Sequence, residues 1–356
     1  MRKSQLLICT AVILLTVSGL GLFPTTHSQA TIALDVAVSV QSIAGIVHEV
    51  GGVHVVISVL LPEGVEPHAF TLTQAVLDTA NSADMLVLTG HFVWEEILAN
   101  QTGKPYITLD DYEALGAELL SLHGASLICD AKTDSVSQHT HDENLHGYWL
   151  FPQNAIAIAN ATRILATALD TTYTQYWQDR FDEFVEEIAK FNAFLAQQKL
   201  IHELETKKVI ATFPAEVYVA KTLGLEIKGL LMEGENIFIS GPELLAIEQA
   251  LHNGSIDLII ASDVAHLQAA GEFAQQLSVD SGVPLVWVRT VFSLLEDYIG
   301  LMAYNTGIII TGLSGAIPSA SDFLTISMPI IIIATILGVI AVIEMVLLLR
   351  FTRTQD

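Results

Sequence analysis

The sequence predicts an α/β protein of two lobes, each a parallel sheet flanked by helices, joined by one long rigid helix and followed by one C-terminal transmembrane helix. Three features carry that expectation. Short apolar runs alternate with helical stretches on both sides of mid-chain. Between the two sets Trp177, Phe181, Phe184, Ile188, Phe191 and Leu195 recur at steps of four and three. Near the end, the apolar run from Ile326 to Leu349 holds a single ionisable group, Glu344.

The chain opens on Arg2 and Lys3, an apolar run from about Leu6 to Leu22, and small residues at Ser28 and Ala30. That is the pattern of an export signal, residues 1–30, cleaved after Ala30. An N-terminal lobe, residues 31–172, follows. In it Asp35–Val40, Val53–Leu61 and Met85–Thr89 read as strands, and Ser42–Val50 and Thr73–Ser82 as helices. Residues 173–206 read as the linking helix, with its apolar stripe on one face. From Tyr173 to Glu205, at about 1.5 Å per residue, it would be roughly 50 Å long. The stripe covers fewer than three heptads before Gln198, which fits packing against both lobes better than a coiled coil. A strut of this kind limits lobe motion.

The C-terminal lobe, residues 207–313, repeats the alternation with strands at Lys208–Thr212, Glu226–Leu231, Asp257–Ser262 and Pro284–Val288. Ser314–Asp322 begins a short linker, residues 314–325. The apolar run at 326–349 is long enough for a hydrocarbon core of about 30 Å, and Arg350 and Arg353 place its end in the cytoplasm. The body of the protein then faces outward from the cell membrane, with Glu344 near the cytoplasmic interface.

Composition narrows the function. Lys and Arg number 15 against 39 Asp and Glu, a net charge of −24, which repels phosphate backbones and argues against a nucleic-acid partner. Only Cys9 and Cys129 occur, and Cys9 lies in the export signal, so an internal disulfide and a cysteine-based zinc site are excluded. No Gly-rich phosphate loop, GxSxG elbow or HExxH pair is present.

Ligands of parallel sheets bind where loops leave the carboxyl ends of strands. His68 lies in such a loop, Leu60–Phe70, though a lone loop histidine by itself is more often surface decoration than a ligand. The segment 139–146 holds His139, His141 and His146 with Asp142 and Glu143. Imidazole and carboxylate suit zinc and manganese, while a solvated polar loop is the other reading. That other reading is weaker for His146, which abuts an apolar Tyr-Trp-Leu-Phe run. His91 follows Met85–Thr89 through Gly90, a position for a further ligand. Asp263 follows Asp257–Ser262, where a helix N-cap is the alternative.

From about Val36 to Leu313 the chain resembles the zinc- and manganese-binding receptors that deliver metal to ABC transporters. Pro67-His68-Ala69-Phe70 matches that family's Pro-His-x-Phe loop. Ala83-Asp84 before the strand into Gly90, Trp149-Leu150 with Pro152, and Tyr298–Asn305 match further. The resemblance makes His68 the first metal ligand and His146 the second, with Gly147 and Tyr148 standing where the family has one residue. The third family ligand, a histidine or glutamate, falls on Phe213, which cannot coordinate. The fourth falls on Asp263 or one residue away.

The expected shell is therefore His68, His146, His91 and Asp263. Glu216 is next in line for the missing position, and a weakened site is the other explanation. The resemblance implies a receptor rather than an enzyme, with the divalent metal as its transported ligand. It would be a monomer that carries zinc or manganese as cargo in an interlobe cleft, with an ABC permease and its ATPase as partners. Acid would weaken binding by protonating the histidines. Two rivals stand beside it: an adhesion or scaffold module with a decayed site, suggested by Phe213, and a metal-dependent hydrolase with Glu66 or Glu216 as base.

Overall fold

The computed structural model describes residues 33–121, 143–234, 237–293 and 297–315. The expected export signal, the apolar run at 326–349, and His139 and His141 lie outside them. Among the described residues no helix is long and apolar enough to cross a membrane.

Strand β1 (Leu34–Val38) leads through helix α1 (Gln41–Gly51) to β2 (Val55–Val59), and α2 (Gln74–Ser82) leads to β3 (Met85–Val87). Helix α3 (Val93–Thr102) then connects to β4 (Tyr106–Ile107), followed by α4 (Leu109–Ala114) and α5 (Pro152–Leu169). The four strands pair in parallel in the order β2-β1-β3-β4. Parallel pairing demands a crossover between neighbours, which is why each short apolar run alternates with a helix. The sequence reading lacks α3, α4, β4 and α5, the last two for different reasons. Two residues are too few to show a period, and α5 buries Ala155, Ala157, Ile158, Ala159 and Ala161 around much of its circumference instead of along one stripe.

Helix α6 (Thr174–Ile201) is the expected strut. It spans 28 residues, about 42 Å at 1.5 Å each, and ends sooner than expected because Glu203 adopts a left-handed conformation at φ 51°. Its stripe is buried at Trp177, Phe184, Ile188, Phe191 and Leu195, with Phe181 half-buried. Trp177 meets His54 of the first lobe edge-on at 6.3 Å, and Phe184 meets Tyr298 of the second at 5.9 Å. The strut therefore packs on both lobes.

The second lobe runs β5 (Lys208–Ala211), α7 (Ala215–Thr222), β6 (Glu226–Leu230), a short hairpin of β7 (Met232–Gly234) and β8 (Ile237–Phe238), then α8 (Gly241–His252). Strand β9 (Leu258–Ser262), α9 (Ala269–Ser281), β10 (Leu285–Val288) and α10 (Tyr298–Leu313) complete it. Its parallel sheet has the order β10-β9-β5-β6. Alternation along the strands separates two apolar layers: Val209, Ala211, Leu258 and Ile260 join the core shared with the first lobe, while Ile210 and Ile259 face a second cluster with Leu251 and Leu277. Both sheets reverse strand order once, between β1 and β3 and between β5 and β9. Crevices at such reversals are where open parallel sheets place ligands.

Candidate metal centre

Three loops of the first lobe converge at that crevice. The loop after β2 brings His68, steadied by Trp94 Nε1 donating to the Pro67 carbonyl at 3.1 Å and by Ala69 N donating to Glu66 Oε2 at 2.6 Å.

The turn after β3 brings His91. Gly90 has φ +72°, and a Cβ there would stand 2.2 Å from Thr108 Oγ1, so only glycine turns the chain this closely. Behind the turn lies Glu95, fully buried near the start of α3. Its Oε2 accepts from His91 N and Phe92 N, both at 3.1 Å, and its Oε1 accepts from Thr89 N at 2.8 Å and from Ser39 Oγ. Burial raises the carboxyl's pKa, and these donors oppose the rise. An acid three residues into a helix start is a capping signal, so Glu95 was open to sequence reading and was missed.

His146 arrives from the third loop. Gly147 beside it has φ +76°, and a Cβ would fall 2.9 Å from the Ala215 Cβ of the second lobe. The added residue noted in the sequence is thus a left-handed turn that separates two side chains. His146 faces the crevice, whereas Tyr148 is buried with its hydroxyl donating to the Thr89 carbonyl at 2.8 Å.

The ring centroids of His68 and His91 lie 4.8 Å apart, those of His91 and His146 4.3 Å, and those of His68 and His146 5.3 Å. One nitrogen of each lies within 4.8 Å of the other two. Two metal–nitrogen bonds of about 2.0–2.1 Å at a tetrahedral angle would separate nitrogens by about 3.4 Å, so a modest contraction closes the group on an ion. His91 Nε2 is buried without a hydrogen-bond partner among the described residues, a donor atom left for a ligand. Burial, reinforced by neighbouring His68, lowers the His91 pKa to about 3. Burial lowers His146 as well, helped by His91 and His68. Both rings are therefore neutral at pH 7, the form that binds metal.

Across from the histidines the second lobe presents an apolar wall that includes Phe213, Ala215, Val264 and Val291. Phe213 stands edge-on to His146 at 4.8 Å. Trp149 Nε1 donates to the Thr290 carbonyl at 2.8 Å and closes the rim between lobes. The cavity's free volume, about 20 Å³, is enough for one ion or water.

Asp263, expected as the fourth ligand, is not brought to the histidine group. Its Oδ1 accepts from Thr290 N at 3.0 Å and Thr290 Oγ1 at 2.7 Å, and its Oδ2 accepts from Phe292 N at 2.8 Å. The carboxylate anchors the 290–292 loop and lies outside the group of three histidines. Glu216 is also outside the group. Its Oε2 accepts from Phe213 N at 3.0 Å, its Oε1 has no hydrogen-bond partner among the described residues, and burial raises its pKa to about 8.

Among solved structures the chain is similar to a crystal structure of ZnuA, at 18% identity and TM-score 0.62 over 79% of this chain and 99% of that one. It is similar to the Mn-bound periplasmic metal binding protein from Candidatus Liberibacter asiaticus, at 18% identity and TM-score 0.59 over 78% and 99%. A third is the substrate-binding protein FpvC from Pseudomonas aeruginosa in complex with Ni²⁺, at 16% identity and TM-score 0.60 over 81% and 98%. At these identities the likeness is one of fold. No curated protein sequence matches the chain. The family profile described as zinc-uptake complex component A, periplasmic, matches residues 36–312 and so takes in both sheets, the strut and all three histidines; the chain belongs to this family, the ZnuA family.

Proposed function

We propose that the protein is an extracytoplasmic receptor that binds a divalent transition metal through His68, His91 and His146 and hands it to an ABC permease. The observation that carries this reading is the convergence of three imidazoles, two of them held neutral by burial, on a cavity the size of one ion. Neutral nitrogen donors without a carboxylate favour zinc over manganese, which prefers oxygen. Water would take the fourth position of a tetrahedral zinc site. Family membership supports the transport role, and the export signal and apolar run at 326–349 support a body tethered outside the membrane.

Calorimetric titration of the purified full-length chain with Zn²⁺ and with Mn²⁺ tests the binding. Tight zinc and weak manganese binding is expected, and heat from neither metal overturns the reading in favour of a decayed site. For the tether, protease added to intact cells should release a soluble domain. Full protection of that domain would refute the orientation.

A further inference from the structure

We infer that Asn144 is a positioning residue through which the C-terminal lobe, although it adds no donor atom to the histidine group among the described residues, sets His146 in the metal site. The inference rests on the metal-binding reading above.

Asn144 is fully buried, and each of its four polar groups has a partner. Its side-chain Oδ1 accepts from His146 N at 3.0 Å, two residues on. Its Nδ2 donates across the lobe boundary to the Pro214 carbonyl at 2.7 Å. Its backbone N donates to the Leu120 carbonyl at 2.7 Å, and its own carbonyl accepts from Tyr218 Oη at 2.6 Å. Tyr218 Oη in turn accepts from Leu120 N at 3.0 Å.

Pro214 and Tyr218 lie four residues apart at the start of α7, hence on one side of that helix. The helix therefore grips Asn144 at two points one turn apart, which fixes the orientation of the residue as well as its place. Only a side chain with both an acceptor and a donor can bridge the His146 N–H and the Pro214 carbonyl. Asparagine has both, whereas ionised aspartate accepts only. Pro214 is flanked by Phe213 and Ala215, which line the cavity wall opposite the histidines. The lobe that presents Phe213, with no donor atom, to the site thus still acts on it, through the backbone of a histidine carried by the other lobe. Groups that hold a ligand from behind typically change metal affinity by about 10–100-fold when removed.

The test uses the full-length chain and Co²⁺ alone as the probe, reading affinity and the visible d–d spectrum, with thermal melting as the fold control. Asn144→Asp keeps an acceptor for His146 N–H but sets a carboxylate oxygen against the Pro214 carbonyl. It should weaken Co²⁺ binding by about 10–100-fold and alter the band positions or intensities. Tyr218→Phe removes one hydroxyl from the grip and should shift the spectrum in the same direction by less. If Asn144→Asp yields too little folded protein, Tyr218→Phe decides alone. Variants that melt earlier yet bind Co²⁺ with wild-type affinity and spectrum would show a structural role only and overturn the inference. A wild-type chain that binds no Co²⁺ would instead overturn the metal-binding reading on which it rests.

Discussion

Replacing His91 by alanine removes one of three imidazoles whose nitrogens lie within 4.8 Å of one another. Closed zinc sites of four ligands bind with about 10–16 kcal/mol at pH 7, or about 2.5–4 kcal/mol per ligand. Among the described residues, Phe213, Ala215, Val264 and Val291 opposite the three histidines carry no donor to replace a lost imidazole, and Glu66, which also lines the cavity, already accepts from Ala69 N and Gln268 Nε2. The expected loss in zinc affinity is about 10²–10³-fold. Competition between the full-length chain and a chromogenic zinc chelator reads a change of that size directly. Phe213→His supplies a check in the opposite direction, because Phe213 already stands 4.8 Å from the His146 ring. In the His91→Ala background it should recover part of the lost affinity by placing an imidazole on the other lobe. Zinc affinity of His91→Ala within threefold of wild type would refute the reasoning, since a true ligand cannot be lost so cheaply.

Acid should release metal later than free histidine chemistry suggests. With the His91 pKa lowered to about 3 from the usual 6.5, that ring stays neutral as pH falls, so zinc affinity measured from pH 7.5 to 5.5 should change little on its account. The same shift makes the empty protein less stable as pH falls from 6.5 toward 3, because the unfolded chain binds the proton first, and His91→Ala should lessen that acid sensitivity in denaturant melts. Glu216 works in the opposite sense. Its folded pKa near 8 exceeds the usual 4.5, so its contribution is full below pH 4.5 and is lost as pH rises through 8; Glu216→Gln should flatten the alkaline decline between pH 5 and 9 in urea titrations. Trp149→Phe removes the buried bond to the Thr290 carbonyl and should cost about 1–3 kcal/mol, seen as a lower urea midpoint at unchanged slope.

The parts of the fold legible in the sequence are those whose burial leaves a local period. Strands β1, β5 and β9 are short apolar runs, and α6 carries one apolar stripe, because each packs in a way its own residues record. Helix α5 and strand β4 leave no such trace: the helix is packed on several sides by partners distant in sequence, and the strand is two residues long. At the site, Gly90 and the strand before it placed His91 in the crevice, and the match at Pro67–Phe70 singled out His68. Asp263 shows where this ends. Its spacing after β9 suits a ligand, yet its oxygens are taken by donors at Thr290 and Phe292, 27 and 29 residues away.

The sequence by itself determined which strands end in histidines and that one helix joins the lobes, since strand, turn and helix preferences are local. Tertiary structure alone decided which of those groups face one another, which carboxylates are consumed by backbone N–H groups, and that Asn144 ties His146 of one lobe to a helix start of the other. Those outcomes depend on hydrogen bonds and burial between segments far apart in the chain, whose partners no local pattern names.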